Sequence, residues 1–333
     1  MTPEDATGCR LNGKSFYAQR GVALLMVLWV LTILMVIVLS FSFMVKTDTL
    51  STLSFKEGTE RKFLAEAGIE RGIAEIFYRN FYKDQTVELE GKEVWKTDGT
   101  PYDGKLGDGS YTVRITDESG KVDINRASEL ILKNLLINAG VEAEEADSIG
   151  DCIMDWKDTD DFVRLHGAES DYYMSLPNPY KAKNAPFDTV EELLLVKGMT
   201  PEILYGSEDK KGIIGFITIN SRMNRINVNA APEEVLMAIP NMTPELAEAI
   251  INYRQDKEIK NLQELQGILG ENYKIMANYI TVSGTNMFTI DSTGGKENEK
   301  GVYAIRATVM LTGGADTHTH QYVYYKSPIT LIQ

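Results

Sequence analysis

The 333 residues carry 34 Lys+Arg against 48 Asp+Glu, a net charge of −14, and only two cysteines. A surface this acidic repels nucleic acid and anionic lipid headgroups and suits divalent cations. Two cysteines exclude a disulfide-rich scaffold, and the length suffices for one membrane helix and two or so domains outside it.

The chain opens with a short basic leader ending in Arg20-Gly21, and then runs from Val22 to Val45 without a charged residue, with only Thr32, Ser40 and Ser42 hydroxylated. At about 1.5 Å per residue this run makes a helix about 36 Å long, enough for a hydrocarbon core of about 30 Å. A secretory signal places its small residue after a shorter apolar stretch. Here Gly21 stands before the run, so a cut between Gly21 and Val22 removes the leader and keeps the helix. That arrangement resembles type IV prepilins and pseudopilins, which are processed on the cytoplasmic side. An ordinary N-terminal signal anchor is the other reading of this feature alone. Basic residues before the span and a large acidic region after it place the N-terminus in the cytoplasm. Cleavage would remove three basic and two acidic groups, taking the charge to −15, and would remove Cys9. Cys152 is then the remaining cysteine, expected to pack as a small hydrophobe rather than to act as a nucleophile.

Phe63, Leu64, Ala67, Ile69, Ile73, Ala74, Ile76 and Phe77 keep a helical spacing, so the helix should continue past the membrane as an amphipathic rod, weakened locally by Gly58, Gly68 and Gly72. Thr86 to Leu89 and Glu93 to Trp95 read as a hairpin about Glu90-Gly91-Lys92; Tyr111 to Thr116 alternates as a half-buried strand, and Lys121 to Ile124 returns after a turn at Glu118-Ser119-Gly120. From Asn125 to about Met276 the pattern is helical throughout. Strands resume with Met287 to Ile290, Val302 to Leu311 and Gln321 to Tyr325, with Gly294-Gly295 and Gly313-Gly314 in the loops between them. Sheet pieces on both sides of a helical block imply an α+β protein with one sheet and an insertion.

The helical block repeats internally. Val122-Asp-Ile-Asn125 matches Ile226-Asn-Val-Asn229, where each Asn is a candidate helix cap and Pro232 suits a first turn. Met199-Thr-Pro-Glu202 recurs as Met242-Thr-Pro-Glu245, with Thr as N-cap and Pro as first helical residue. In the second copy Leu246, Ala249, Ile250 and Tyr253 form one apolar face. These helix–turn–helix units resemble helix-hairpin-helix modules, which hold DNA phosphates on the backbone of a Gly-hydrophobic-Gly turn. Here the turns read Gly198-Met199-Thr200 and Asn241-Met242-Thr243, and the next helix brings Glu245 and Glu248, so packing rather than nucleic-acid binding is expected.

Asp151, Asp155 and Asp158 fall at i, i+4 and i+7 on one helix face, a spacing that destabilises a helix unless a cation or solvent separates the charges. Asp160, Asp161, Glu169 and Asp171 follow, with Gly167 permitting a tight turn. Hard oxygen donors without a nearby cysteine favour calcium over a transition metal, although the spacing is not that of an EF-hand. A solvated acidic face is the alternative. The candidate ligands are Asp155, Asp158, Asp160, Asp161, Glu169 and Asp171. His318 and His320 lack a third ligand and read as an exposed edge, and His166 has no paired Ser or Cys. No P-loop, HExxH, GxSxG or Ser-His-Asp order is present, and nothing argues for an enzyme.

At this point the residues resemble a known family, the minor pseudopilin K of bacterial type II secretion systems, over nearly the whole length. The resemblance rests on Arg20-Gly21-Val22, on Asp155-Trp156-Lys157-Asp158 with Gly167-Ala168-Glu169 and Tyr172-Tyr173, on Asn184-x-Pro186 followed by Glu191-Glu192-Leu193, and on Ile226 to Asn229. It implies a leader at 1–21, a membrane helix at 22–45, a pilin-like helix and first strands at 46–124, an inserted α-domain of helix-hairpin-helix or SAM-like units at 125–280, and strands completing an antiparallel sheet at 281–333. It further implies bound calcium, cleavage by prepilin peptidase, a single pass through the inner membrane with a periplasmic globular part, and partners among the I- and J-type minor pseudopilins and other pseudopilus subunits. Most such subunits place Glu at the fifth position after the cut; this chain has Met26. A buried carboxylate there can offset the N-terminal ammonium of a neighbour. Met26 cannot, so the resemblance implies a subunit at the filament tip that starts assembly for protein export. A pilin-like DNA-binding subunit of a competence system is the alternative function.

Overall fold

The computed structural model describes residues 18–82, 94–207, 210–296, 301–312 and 319–329, with side chains from Val22 onwards. The leader as far as residue 17, the predicted hairpin about residues 90–92, Gly313-Gly314 and His318 lie outside the described residues. The chain divides into two compact units, Met1–Glu60 and Arg61–Gln333.

The first unit is the apolar part of helix α1 (Ala18–Tyr82). Among the described residues, α1 is the helix long and apolar enough to cross a membrane. Its side chains from Val22 to Val45 all face outwards. Thr32 Oγ1 donates to Trp29 O at 2.7 Å, so this hydroxyl is satisfied within the helix, as an apolar surrounding requires.

In the second unit the strands, in chain order, are β1 (Asp98–Leu106), β2 (Gly109–Asp117), β3 (Val122–Asp123), β4 (Ile217–Thr218), β5 (Ile226–Asn227), β6 (Ile280–Thr281), β7 (Met287–Gly295), β8 (Tyr303–Thr312) and β9 (Thr319–Lys326). The five long strands form an antiparallel sheet ordered β1-β2-β7-β8-β9. Ala65, Ile69, Ile73 and Ile76 of α1 pack on Val113, Ile115, Phe288, Ile290, Ile305, Ala307 and Val309, which is the apolar core of this half. Gly68 and Gly72 do not interrupt α1. A Cβ on Gly68 would run into Ser292 Oγ and one on Gly72 would lie 2.9 Å from Ile290 Cγ2, so the glycines let helix and sheet approach closely.

Three strand expectations are corrected. β1 was not predicted, because Asp-Gly-Thr-Pro-Tyr-Asp-Gly-Lys-Leu lacks apolar alternation; it is an edge strand, where proline is tolerated. Gly294 and Gly295 are not in a loop but end β7, since a Cβ on Gly294 would meet the α1 backbone at Arg61 and Ala65. The segment after Gly120 does not return into the sheet: β3 pairs in parallel with β4.

Between β2 and β7, which are neighbours in the sheet, the chain builds a second core. Its helices are α2 (Glu129–Asn138), α3 (Ala143–Lys157), α4 (Ser170–Met174), α5 (Pro201–Tyr205), α6 (Glu233–Leu236), α7 (Pro244–Asp256), α8 (Gln266–Leu269) and α9 (Tyr273–Met276). The block is not helical throughout. β3 and β5 open its two repeats and pair in parallel with β4 and β6 at their far ends, and residues 158–169 and 175–189 are irregular. Thr200 and Thr243 cap α5 and α7 as predicted, each accepting a backbone N–H, with Pro in the first turn. Asn125 and Asn229 are not caps; Ser128 and Pro232 hold those positions. In α7 Ile250 is buried, while Leu246, Ala249 and Tyr253 are half-buried and Ala247 and Arg254 go deeper. Arg254 is drawn in because Nη1 donates to Val228 O at 2.7 Å and Ala231 O at 2.6 Å.

The two cores meet at a buried polar junction. Asp117 accepts from Ser119 N at 2.9 Å and from Thr285 Oγ1 at 2.8 Å, tying the departing strand to the returning one. Glu118 accepts from Lys121 Nζ at 2.6 Å, from Thr289 Oγ1 at 2.8 Å and from Thr218 Oγ1. Burial pushes Glu118 up, but the Lys121 ammonium and these hydrogen bonds outweigh it and hold the carboxyl below the usual range.

Candidate functional site

The acidic row of α3 comes from three side chains one turn apart on the same face. Asp151 and Asp155 are buried, and Asp158 is the C-cap. Two of them organise the segment that follows. Asp151 Oδ2 accepts from His166 N at 3.0 Å and Asp155 Oδ2 accepts from Arg164 N at 3.2 Å, so residues 159–167 fold back along the helix. Gly167 makes that return possible, since a Cβ there would run into Asp155 Oδ2. Trp156, next in the helix, faces the α-domain core edge-on to Tyr173 with centroids 5.2 Å apart.

The return leaves a set of buried oxygens without hydrogen-bond partners. They are both carboxylate oxygens of Glu169, Oδ1 of Asp155, Oδ1 of Asp158 and Oδ1 of Asn184. Glu169 is 3% exposed. Burial, then repulsion from Asp155, Asp158 and Asp161, pushes its carboxyl up to about 7. Burial likewise raises Asp155. The Asn184 amide donates to Asp161 Oδ1 at 2.9 Å and Asp160 O at 3.2 Å, which turns its own oxygen the other way. Arg164 supplies the nearby positive charge: Nε lies 3.2 Å from Asp155 Oδ1, Nη2 3.6 Å from Asp158 Oδ2 and Nη1 4.0 Å from Glu129 Oε2.

Hard carboxylate and amide oxygens left without hydrogen bonds are the donor type that calcium takes. Among the described residues, no three His, Cys, Asp or Glu side chains stand close enough together to hold a metal ion as they are placed. Of the predicted ligands, Asp155, Asp158 and Glu169 carry the orphaned oxygens, and Asp161 faces Asn184. Asp160 is exposed and uses its carboxylate on Phe162 N at 2.9 Å, and Asp171 is exposed in the first turn of α4. Sequence reasoning missed Asn184 and Arg164 as members. The signal for Asn184 was its place in a loop where Asn readily takes the left-handed conformation it shows, φ 48°.

Elsewhere, Cys152 is buried, and burial pushes its thiol up to about 11, so it packs as a small hydrophobe and is a poor nucleophile at neutral pH. His320 lies on edge strand β9 against the Phe77 and Tyr322 rings. Both hairpin turns carry left-handed backbone, at Gly198 (φ 85°) and Asn241 (φ 63°), where Asn replaces the glycine. Met26 is 63% exposed on α1.

Residues 113–206 match the model of the type II secretion system (T2SS), protein K, and residues 221–281 match the helix-hairpin-helix motif. The type II secretion system protein K of Pectobacterium carotovorum subsp. carotovorum is 25% identical over 82% of this chain and 87% of that protein. The protein of the same description from Pseudomonas aeruginosa is 29% identical over 57% of this chain and 60% of its own length. In the crystal structure of the GspK-GspI-GspJ complex from the enterotoxigenic Escherichia coli type 2 secretion system, a chain superposes with a TM-score of 0.61 at 16% identity, covering 84% of this chain and 100% of that one, which shows a shared fold.

An apolar N-terminal helix, a helix-on-sheet core and a large α-domain between two adjacent strands make up a pilin-like fold. The chain is similar to type II secretion system protein K, a minor pseudopilin, and the family model, the relatives and the shared fold all support that reading.

Proposed function

We propose that this minor pseudopilin is made as a prepilin, cut between Gly21 and Val22 by prepilin peptidase, and held in the bacterial inner membrane by α1 with its globular part in the periplasm. It stands at the tip of the pseudopilus and starts assembly with I- and J-type minor pseudopilins for export of folded proteins across the outer membrane. The observation that carries this reading is Met26. From Val22 to Val45 the helix offers no carboxylate, so it cannot neutralise the terminal ammonium of a subunit ahead of it in an apolar surrounding. A subunit with nothing ahead of it needs no such group. The α-domain supports the same role, because bulk inserted into the sheet would block further addition at the distal end. The E. coli complex, which contains K-, I- and J-type proteins, supports the choice of partners.

Calcium would be held by Asp155, Asp158, Glu169 and Asn184, with Asp161 beside them, and would supply the positive charge that lets these carboxylates stay ionised together. The test of the assembly role is Met26→Glu. The variant should insert normally and be recovered with Val22 as its first residue, while pseudopilus initiation and secretion fall. Unchanged initiation and secretion would remove the argument from Met26, and a mature chain lacking α1 would remove the whole reading. The helix-hairpin-helix match does not by itself imply nucleic-acid binding here, and the alternative reading is a DNA-binding subunit of a competence system. Against it stand Glu202, Glu245 and Glu248 beside the turns, and a gel shift at low salt separates the two.

A further inference from the structure

Arg164 is built into the acidic centre from an unusual direction. It belongs to the irregular return between α3 and α4, and its own backbone N–H is fixed by the carboxylate that its guanidinium approaches, Asp155. The ion pair at Asp155 is not an aligned hydrogen bond: Nε and Asp155 Oδ1 are both left without one. Arg164 therefore contributes charge more than geometry. It does not reach the rest of the orphaned set, since both Glu169 oxygens and Asp158 Oδ1 have no hydrogen-bond partner. The centre thus sets one guanidinium among carboxylates of which Asp155, Asp158 and Asp161 all bear on Glu169. On either side of Arg164 stand, among the described residues, the most exposed large apolar side chains outside α1, Phe162 at 83% and Leu165 at 89%, with Val163 also exposed.

We infer that Arg164 is a resident counter-cation, which holds the acidic centre together in the absence of a divalent ion and competes with that ion for Asp155 and Asp158. The inference rests on the calcium reading given under the proposed function. A doubly charged ion outbids a single guanidinium for hard carboxylate oxygens. Its entry repels Arg164 and frees the guanidinium from Asp155 and Asp158. Because the Arg164 N–H leans on the same Asp155, the return carrying Phe162, Val163 and Leu165 changes its anchorage when the ion arrives. Arginine is a positioning residue here, acting on the exposed tip through the carboxylates.

The test is calcium titration by calorimetry on the full-length chain in detergent, comparing wild type with Arg164→Gln and Arg164→Lys. Removing the competing charge in Arg164→Gln should tighten calcium binding about tenfold, the scale of repulsion between a unit and a doubly charged cation a few ångströms apart in a well-solvated setting. Arg164→Lys, which keeps the charge, should stay within about twofold of wild type. Amide exchange supplies a readout that needs no variant: in the wild type, residues 159–167 should change protection when calcium is added. Equal or weaker affinity in a folded Arg164→Gln, or exchange at 159–167 indifferent to bound calcium, overturns the inference and leaves the calcium reading standing. Wild type silent and Arg164→Gln binding would support it. Silence of both at millimolar calcium overturns the calcium reading and this inference together.

Discussion

Asn229 grips Ile259 by both ends of its side-chain amide: Oδ1 accepts from Ile259 N at 3.0 Å and Nδ2 donates to Ile259 O at 2.9 Å. Asn125 does the same to Phe187, at 2.8 Å and 3.0 Å. In each repeat a side chain thus replaces one rung of a ladder, satisfying a buried backbone pair that no strand reaches. A cation completes the correspondence, since Lys157 Nζ donates to Ile124 O as Arg254 Nη1 donates to Val228 O. The clamp spans 62 positions in the first repeat and 30 in the second, 32 more. Most of the excess lies between Lys157 and Phe187, so the acidic centre sits in an elaboration of a duplicated unit.

Replacing the clamp should be costly. Asn229→Ala leaves the N–H and C=O of buried Ile259 unsatisfied, and should lower stability by about 2–4 kcal/mol. Urea unfolding followed by tryptophan fluorescence measures it; a loss below about 0.5 kcal/mol would show that the rung is dispensable.

Two glycines of α1 should respond in opposite directions to alanine. Gly68→Ala places a methyl against Ser292 and Val113, and should cost about 1–3 kcal/mol by overpacking. Gly58→Ala meets nothing within 4 Å and should instead favour the helix by about 0.5–1 kcal/mol. Thermal melts of the two variants beside wild type decide the point.

The junction carboxylate Glu118 should show its worth at neutral pH. Its folded-state value lies below the ordinary 4.5, so its contribution is complete above that pH and is lost as pH falls through the lowered value. Glu118→Gln removes the counter-charge of Lys121 and should destabilise by about 2–4 kcal/mol at pH 7. The gap to wild type should narrow below about pH 4.5. Asp117 and Asp123, raised by burial, work with the opposite sign: their contribution is complete below 3.8 and is lost as pH rises through their raised values. A pH series of unfolding curves for the variant separates the two trends.

Calcium should stabilise the folded chain by mass action, about 2.7 kcal/mol at a hundredfold excess over its dissociation constant. Chelation should lower the melting temperature of the wild type, and the combined Asp158→Asn, Glu169→Gln variant should melt alike with calcium and with chelator. A calcium-dependent shift that survives in this variant would place the ion elsewhere.

What the amino-acid order revealed was what depends on neighbours along the chain. The uncharged run from Val22 to Val45, the Thr-Pro caps at Thr200 and Thr243 and the Asp151-Asp155-Asp158 row are all local spacings. β1 escaped because an edge strand need not alternate, and Gly294 looked like a loop residue although its small size serves contact with α1. Asn125 and Asn229 looked like caps because their type suits a helix start, but their partners lie far off in sequence. The membership of Arg164 and Asn184 in the acidic centre likewise depends on the return after α3. No periodicity encodes which oxygens are left over once that return has packed.

Asp117 and Thr285 touch although they stand 168 positions apart. Because β2 and β7 are adjacent rungs, everything from Glu118 to Asn286 is topologically the tip of one hairpin. The helix-on-sheet scaffold can therefore tolerate exchange of its large inserted tip without re-threading, and a short tight turn joining β2 to β7 should yield a stripped-down chain that still closes its sheet. Variation in the inserted tip is thereby uncoupled from the sheet that carries it.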